Sequence, residues 1–216
     1  MAIIEEISEW LQKGRSKNVA ALVEQALAEG IDAKSILNDG MLSAMAVVGA
    51  KFKKNEVFVP EVLVAARAMN AGLAVLEPRL AEMGAEPLGV AVIGTVQGDL
   101  HDIGKNLVAM MLKGVGFEVH DLATDVSPET FVDKAEELGA DLIAVSALLT
   151  TTMPHMKGVI DVLNARGLRD KYIVMIGGAP VNQDFADEIG ADFYTLDAAT
   201  AAETAKTAVL AKKANG

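Results

Sequence analysis

The hydrophobic pattern of this chain changes near residue 86, and this change limits the folds that its 216 residues can adopt. Before it, apolar residues such as Ile4 and Ile7 recur at intervals of three or four, which is typical of helices packed on one face. After it, short uninterrupted apolar runs such as Val90–Ile93 alternate with helix-like segments. A helical domain at residues 1–86 is therefore predicted to precede an α/β domain at residues 87–216.

The first domain is predicted to contain about four helices. Polar or glycine-containing stretches interrupt its helical pattern at 14–16, 30–32 and 55–60. Asp32 is a suitable helix N-cap, and Pro60 suits the first position of a helix. A short linker at 82–88 is predicted to join this small four-helix bundle to the second domain.

Five apolar runs in the second domain have the length and composition of strands that are buried on both faces. In chain order they are Val90–Ile93, Phe117–Val119, Leu142–Val145, Ile173–Ile176 and Phe193–Leu196. Helices are predicted to begin near Gly104, Pro128, Pro154, Pro180 and Ala198. Two predicted helix ends repeat the sequence Gly-Ala-Asp, at 139–141 and 190–192, where glycine can end the helix. The alternation predicts a doubly wound, Rossmann-like sheet of five parallel strands in the flavodoxin order 2-1-3-4-5.

The composition excludes several classes of function. The chain has 19 Lys and Arg against 30 Asp and Glu, and its net charge of -11 would repel a nucleic acid backbone. It has no cysteine, which excludes disulfides, thiolate nucleophiles and zinc or iron–sulfur sites with Cys ligands. Any metal must therefore be bound by carboxylates, hydroxyls or one of three histidines, His101, His120 and His155.

The N-terminal segment does not resemble an export signal. It begins with Ile3, Ile4, Glu5 and Glu6 in place of a basic stretch followed by an apolar run, and no later apolar run approaches the length of a membrane span. We therefore expect a cytoplasmic protein with neither a membrane nor a nucleic acid as its partner.

Polar and glycine residues follow three of the predicted strands at their carboxyl ends, where open parallel sheets bind ligands. They occupy 97–105 after the first strand, 146–152 after the third and 177–180 after the fourth. These strands are neighbours in the predicted order, so the three segments would line one surface. The segment 121–127 after the second strand, at the sheet edge, is less distinctive.

Asp99 and His101 are the candidate metal-binding pair on this surface. A metal-bound imidazole usually donates its other N–H to a carboxylate, so Asp99 is a natural partner for a metal-binding His101. Gly98 and Gly104 would let the backbone approach a large flat ligand. A plain hydrogen-bonded turn fits the same residues, and their placement beside the other two segments is what favours a ligand site.

Other common sites of this fold lack their motifs here. The glycines at 94, 98 and 104 are too widely spaced for the dinucleotide motif Gly-x-Gly-x-x-Gly, and no Walker-type phosphate loop is present. No serine lies in a Gly-x-Ser-x-Gly elbow, which disfavours a hydrolase.

Three short motifs together resemble the cobalamin-binding domain family, which includes methionine synthase-like modules. They are Asp99-x-His101-x-x-Gly104, Ser146-x-Leu148 and Gly177-Gly178, in the order and at distances similar to the family's. The resemblance implies that His101 is the ligand of cobalt, that Asp99 is its hydrogen-bond partner, and that the nucleotide tail of the cofactor is buried in the sheet domain. The cofactor-binding residues that it implies are Gly98, Asp99, His101, Asp102, Ile103, Gly104, Ser146, Leu148, Thr150, Gly177 and Gly178. Thr152 stands where methionine synthase-like members have a serine, and a relay through its hydroxyl is left open at this point.

A second resemblance covers the first domain. Gly40-Met41, Met45, Phe58-Val59-Pro60-Glu61 and the stretch 65–69 look like the helical cap of corrinoid methyl-carrier proteins. In that family the cap lies over the corrin and shields the methyl group on cobalt, which implies corrin contacts for Met41, Met45, Phe58 and Val59. The same side chains would also suit the core of a helical bundle.

The two resemblances imply a non-catalytic subunit of a methylamine, methanol or O-demethylase-type methyltransferase system. It would carry a methyl group on a cobalamin or related corrinoid, cycling between methyl-Co(III) and Co(I). The partners would be a substrate-specific methyltransferase, a second methyltransferase with a thiol or folate acceptor, and a reductive activase. One alternative is the cobalamin-binding subunit of an adenosylcobalamin-dependent mutase, which usually lacks such a cap. Another is a cobalamin sensor module, which would need a DNA-binding domain.

Overall fold

A computed structural model describes residues 2–82 and 86–215 of the protein. By their internal contacts these residues form two compact units. One lies within Met1–Glu86 and includes Gly114–Gly116, and the other lies within Pro87–Lys113 and Phe117–Gly216. Part of the predicted linker, residues 83–85, lies outside the described residues.

The helical unit is built from four successive helical segments. They are α1 (Ala2–Gln12), α2 (Ser16–Ala28), a composite of α3 (Ala33–Ser35), a π-helix (Ile36–Leu42) and α4 (Ser43–Lys53), and α5 (Val59–Glu82). The Asp32 carboxylate accepts the Ser35 N–H at 3.0 Å, which confirms the predicted N-cap. Pro60 is the second residue of α5 and not the first.

The long helix α5 packs along α2 and also contacts α1 and α4. Its buried residues Ala65, Ala68 and Met69 recur at helical spacing, so one face of α5 belongs to the core of this unit. Gly72 makes room for the buried side chain of Met41, because a Cβ atom on Gly72 would lie 2.7 Å from Met41 Cε. The close packing of α5 against the π-helix therefore depends on the small residue Gly72 as well as on the large residue Met41.

The expectation that no apolar run approaches the length of a membrane span is wrong by length and composition. The segment Val59–Leu80 of α5 has 22 residues and a mean hydropathy of 1.4. The helical pattern of α5 also contains Arg67 and Asn70, both exposed, opposite its buried face. This arrangement is typical of the core helix of a bundle, since a membrane helix would expose apolar side chains all round.

The second unit contains a five-stranded parallel sheet in the order β2-β1-β3-β4-β5, which confirms the predicted topology. Its strands are β1 (Val90–Thr95), β2 (Glu118–Asp121), β3 (Leu142–Ser146), β4 (Ile173–Gly177) and β5 (Phe193–Tyr194). Its helices are α6 (Ile103–Gly114), α7 (Pro128–Glu137), α8 (Pro154–Ala165), a 3-10 turn (Arg169–Lys171), α9 (Gln183–Ile189) and α10 (Ala198–Asn215). The three central strands are almost wholly buried, as expected when helices cover both faces.

Most predicted boundaries agree with the structure, and the differences have local causes. The helix predicted near Pro180 begins at Gln183, because the Asn182 side chain accepts the Phe185 N–H at 2.9 Å and acts as the N-cap. The last apolar run forms only a short strand, and Leu196 beyond it is 85% exposed.

The repeated Gly-Ala-Asp sequence connects helices to the sheet in the same way at both places. Gly139 and Gly190 adopt left-handed backbone angles, with φ of 61 and 78°, at the ends of α7 and α9. The carboxylate of Asp141 then accepts the Val90 N–H at 2.9 Å. The carboxylate of Asp192 accepts the Val174 N–H at 2.7 Å, so each aspartate ties its loop to the neighbouring strand.

Candidate functional site

The segment 96–102 joins β1 to α6 and has no regular secondary structure, so hydrogen bonds must set its conformation. It turns at Gly98, whose φ is 78°, and the Asp99 N–H donates to the Val96 carbonyl at 3.1 Å. The hydroxyl of Thr95, which is completely buried, donates to the His101 carbonyl at 2.8 Å. The backbone of His101 is therefore attached to the end of the central strand.

Asp99 and His101 form a pair in which one partner is buried and the other is accessible. The Asp99 side chain is 0% exposed, whereas the His101 ring is 52% exposed. Asp99 Oδ1 lies 2.7 Å from His101 Nδ1 and also accepts the His101 N–H at 3.1 Å. With a proton on Nδ1 for this bond, Nε2 keeps its lone pair on the accessible side of the ring.

The second carboxylate oxygen of Asp99 binds the loop after β3. Asp99 Oδ2 accepts the N–H groups of Leu148 at 2.7 Å and Leu149 at 3.2 Å. It also lies 3.0 Å from the hydroxyl of Thr152, which is nearly buried. That hydroxyl is also 2.9 Å from the Leu149 carbonyl, so its single proton can serve only one of the two acceptors at a time.

These bonds keep Asp99 ionised. Burial raises the pKa of Asp99, but the hydrogen bonds from the Leu148 and His101 backbones, the His101 ring and the Thr152 hydroxyl lower it by more. The pKa of this carboxyl group therefore lies well below its ordinary value. A negative charge is therefore held at the Nδ1 edge of the imidazole ring.

The other predicted pocket residues lie at the ends of β3 and β4, which are neighbours. Ser146 is paired in register with Gly177, and Thr150 is exposed in the loop that follows. A Cβ atom on Gly178, whose φ is 134°, would lie 1.8 Å from the Ala147 carbonyl oxygen. A Cβ atom on Gly177 would meet only the Thr195 carbonyl, at 3.8 Å. The fold itself thus requires glycine at 178, whereas the space beside Gly177 is open.

Comparisons with known proteins agree with this geometry. A family model described as a B12 binding domain matches residues 89–206, and a second B12 binding domain model matches residues 3–77. The chain is 44% identical to a corrinoid protein of Desulfitobacterium hafniense (strain Y51), over 95% of this chain and 96% of that protein. It is 44% identical to the dimethylamine corrinoid protein of Methanosarcina barkeri, over 94% of this chain and 96% of that protein. This chain belongs to the B12-binding corrinoid protein family.

A solved structure of the methanol:cobalamin methyltransferase complex MtaBC from Methanosarcina barkeri contains a chain of similar fold. The two chains superpose with a TM-score of 0.87 at 30% identity, covering 97% of this corrinoid protein and 80% of the other chain. A cobalamin-binding protein from Desulfitobacterium hafniense DCB-2 gives a TM-score of 0.77 at 30% identity. The architecture of both units is therefore that of known corrinoid proteins.

The donor set of this corrinoid protein fits a cobalt that is already held in a macrocycle. Within residues 2–82 and 86–215, no group of three or more His, Asp or Glu side chains could hold a metal ion. A corrinoid brings nitrogen ligands for its cobalt and would need only one further donor from the protein. The accessible His101 ring, held by a buried carboxylate, has the chemistry of that donor.

Large apolar side chains near His101 in sequence and along the loop after β3 are exposed. Leu100 and Ile103 are 73% and 75% exposed, and Leu148 and Leu149 are 41% and 40% exposed. Asp102, also exposed, accepts the side-chain N–H of Asn106 at 3.1 Å. Nothing lies within 4 Å of a Cβ atom built on Gly104. Exposed apolar groups around an imidazole suit a broad, mainly apolar ligand.

The four candidate corrin contacts in the helical unit differ in exposure. Met41 and Met45 are buried, at 0% and 1% exposure, whereas Phe58 is 61% exposed and Val59 is half-buried. Met41 lies in the π-helix and packs at Gly72. Phe58 and Val59, at the start of α5, are therefore the accessible candidates, whereas Met41 and Met45 belong to the core of this unit.

The loop after β2, which is less distinctive in the sequence than the other loops, also contributes to this site. Asp125 in this loop accepts the Gly98 N–H at 2.7 Å, and its own N–H donates to the Asp99 carbonyl at 3.1 Å. The available signal was positional, since β2 is predicted beside β1 and its loop contains acidic residues at 121 and 125.

Proposed function

We propose that this corrinoid protein carries a methyl group on cobalt from a substrate-specific methyltransferase to a second methyltransferase whose acceptor is a thiol or a folate, with a reductive activase as a third partner. Support comes from relatives named for dimethylamine and trimethylamine, one of them 47% identical over 81% of this chain. The similar chain in the methanol:cobalamin methyltransferase complex also supports it. When bound, the corrinoid supplies the transfer chemistry through its cobalt, and the protein supplies position and shielding.

His101 is the proposed protein ligand of the cobalt, acting through Nε2. The observation that carries this assignment is the 2.7 Å contact between His101 Nδ1 and the buried Asp99 carboxylate. This contact fixes the tautomer and the ring plane, and the negative charge on Asp99 increases the donor strength of Nε2. Through the Asp99 carboxylate the protein would tune the donor strength of His101 without a further metal-binding side chain.

Thr152 is the second side chain that is bound to the Asp99 carboxylate. Because hydrogen bonds, including the one from the Thr152 hydroxyl, lower the pKa of Asp99, its carboxylate stays ionised beside the imidazole. The Thr152 hydroxyl can turn between Asp99 Oδ2 and the Leu149 carbonyl. We assign to Thr152 the relay role that serine has in methionine synthase-like members.

The remaining candidate residues are proposed to bind the rest of the cofactor. Ser146, Leu148, Thr150 and Gly177 would line the pocket for the nucleotide tail, with Gly178 shaping it through the close approach to Ala147. Gly98, Asp102, Ile103 and Gly104 would line the corrin site beside His101. Of the helical unit's candidates for corrin contact, Phe58 and Val59 are accessible, whereas Met41 and Met45 are buried in the core of that unit. We also propose that the protein is cytoplasmic.

The ligand assignment is tested by reconstituting the protein with hydroxocobalamin and comparing its visible spectrum with that of His101→Ala. We expect the variant to lose the spectral signature of imidazole coordination. His120→Ala is a matched control, because His120 Nε2 lies 2.7 Å from the carboxylate of Glu118, also two residues earlier in the chain. Identical spectra for wild type and His101→Ala would show that another group binds the cobalt.

The carrier role is tested by mixing the loaded, reduced protein with purified methyltransferases for methanol and for methylamines. Methyl transfer to the corrinoid is expected with the enzyme of one donor class and is followed by absorbance. The matching acceptor assay measures methylation of a thiol or a folate by the second enzyme. Radical rearrangement with adenosylcobalamin and a mutase partner, without methyl transfer, would overturn the proposal in favour of a mutase subunit.

A further inference from the structure

The loop between β2 and α7 brings a second carboxylate to the segment that carries His101. This loop runs beside the end of β1, where the Thr95 N–H donates to the Ala123 carbonyl and the Val126 N–H donates to the Thr95 carbonyl, each at 3.0 Å. Val96 and Val126 also form an isolated parallel bridge. The loop thus continues the pairing of β1 with β2 beyond the end of the sheet.

Asp125 makes two hydrogen bonds to the segment 96–102, which carries His101 and is called the ligand segment below. Asp125 accepts one of these bonds and donates the other. Its carboxylate accepts the Gly98 N–H at 2.7 Å, and its backbone N–H donates to the Asp99 carbonyl at 3.1 Å. The Asp99 carboxylate is held separately by the loop after β3, through Leu148 and Thr152. Asp125 therefore fixes the backbone of Asp99, from which the carboxylate reaches His101.

The backbone at Asp125 is left-handed, which a residue with a side chain rarely adopts. Its φ is 58°, and Ala123 two residues earlier has a φ of 65°. Glycine would adopt these angles without strain, and asparagine and aspartate tolerate them better than other residues. A side chain is therefore present at 125 where the backbone angle favours glycine, and its carboxylate makes a bond to Gly98 that glycine could not make.

The same loop is anchored on the other side of His101 through Lys105. The ammonium group of Lys105 lies 2.6 Å from both carboxylate oxygens of Asp121, the last residue of β2, and its side chain is 1% exposed. Asp121 Oδ1 also accepts the Ala123 N–H at 2.8 Å. The loop is thus connected before His101 at Gly98 and after it at Lys105.

We propose that Asp125 is a positioning residue for His101, and that the loop from Asp121 to Asp125 brackets the ligand segment so that the imidazole is presented to cobalt in one orientation. This inference rests on the proposed function, because it assumes that His101 is the ligand. If Asp125 only shaped a turn, its removal would change the loop but not the coordination of the metal.

Three variants distinguish the effect of losing the Asp125 carboxylate from the effect of relieving a left-handed backbone angle. Asp125→Gly removes the acceptor and suits the left-handed backbone, so a folded protein is expected. Asp125→Asn keeps an oxygen acceptor in the same place and tolerates the same angles. Ala123→Gly is the matched control, because it relieves a left-handed residue in the same loop and removes no hydrogen-bonding side chain.

The first measurement uses the apo-protein and follows amide hydrogen exchange at Gly98 by NMR. We expect exchange at Gly98 to become roughly tenfold faster or more in Asp125→Gly, because the bond to a charged acceptor is lost. Asp125→Asn and Ala123→Gly should stay close to wild type. Unchanged exchange at Gly98 in Asp125→Gly would show that Asp125 does not hold the ligand segment, independently of any result with a corrinoid.

The second measurement uses protein labelled uniformly with nitrogen-15, loaded with hydroxocobalamin and reduced to Co(II) for electron paramagnetic resonance. Coordination by a protein imidazole splits the cobalt lines into doublets, coordination by the cofactor's own base splits them into triplets, and absence of a nitrogen ligand leaves them unsplit. We expect doublets in wild type, Asp125→Asn and Ala123→Gly, and a measurable unsplit or triplet fraction in Asp125→Gly.

The outcomes distinguish this inference from the function on which it rests. Doublets alone in Asp125→Gly would overturn the positioning role while leaving His101 as the ligand. Triplets or unsplit lines in the wild type would overturn the ligand assignment and with it the positioning role. In that case accelerated exchange at Gly98 would still show that Asp125 holds the segment, so the two failures remain separate.

Discussion

Replacing Gly178 by alanine should destabilise the α/β unit even without cofactor. The φ of Gly178 is 134°, and a Cβ atom there would lie 1.8 Å from the carbonyl oxygen and 2.9 Å from the carbonyl carbon of Ala147. Both atoms belong to backbone, and the Ala147 N–H donates to the Gly177 carbonyl at 3.2 Å. The two chain segments therefore cannot separate without breaking a hydrogen bond at the carboxyl ends of β3 and β4.

The expected loss combines two contributions. A residue with a side chain at such a φ costs about 1–3 kcal/mol, and forcing an extra carbon into a packed contact costs about 1–3 kcal/mol more. We therefore expect Gly178→Ala to lower the free energy of unfolding by about 2–6 kcal/mol. This is a large part of the roughly 5–15 kcal/mol by which domains are usually stable.

Urea unfolding of the apo-protein measures this loss, and the aromatic residues report on the two units separately. The single tryptophan, Trp10, lies in the helical unit, whereas Tyr172 and Tyr194 lie in the α/β unit. Gly177→Ala is the matched control, since its Cβ atom would have an ordinary contact at 3.8 Å and should change the stability by less than about 1 kcal/mol. Equal midpoints of the tyrosine transition for the two variants would refute this reasoning.

Three further perturbations test the polar groups of the α/β unit. Thr152→Val removes a hydroxyl at 3.0 Å from the Asp99 carboxylate, so urea unfolding should show a loss of about 1–2 kcal/mol that Thr152→Ser restores, and equal stability of the two variants would argue against this bond. Tyr172→Phe removes a buried hydroxyl that has no partner among the described residues, so the midpoint of thermal unfolding should stay or rise, whereas a clear fall would reveal a missing partner. Hydrogen bonds lower the pKa of Asp99, so its contribution to stability is complete above its ordinary value of 3.8 and is lost as the pH falls below that value. The difference in unfolding free energy between wild type and Asp99→Asn should therefore stay level from neutral pH down to about that value and shrink as the pH falls below it. A difference that does not change with pH would mean that Asp99 titrates alike in the folded and unfolded chains.

The sheet could be predicted from the sequence because its strands are short and buried on both faces. Runs such as Ile173–Ile176 differ clearly from the helical pattern around them, and they agree with the observed strands to within about two residues. The parallel topology then follows from the alternation with helices. The predicted start of α9 was wrong because Pro180 was taken as the helix start and the N-cap is Asn182.

The candidate site could be predicted only where a residue is unusual in type or spacing. Asp99 and His101 satisfy this condition, and the structure brings them together with Thr152. Asp125 does not, because its importance lies in a left-handed backbone angle and a bond to a peptide N–H, neither of which leaves a motif. The burial of Lys105 was equally hidden, since a lysine at a helix start is normally solvated.

The π-helix Ile36–Leu42 constrains how this chain can tolerate changes in length. In this stretch the hydrogen bonds join residues five apart, as from the Ser43 N–H to the Asn38 carbonyl, so it holds an extra residue compared with an α-helix of the same number of turns. Deleting one residue here would restore α-helical bonding and leave the Asp32 cap and the buried Ile36 facing nearly as they do now. The same deletion within α4 would rotate the helix before it by about 100°. A homologue that is one residue shorter in this part of the chain is therefore expected to have its gap inside the π-helix.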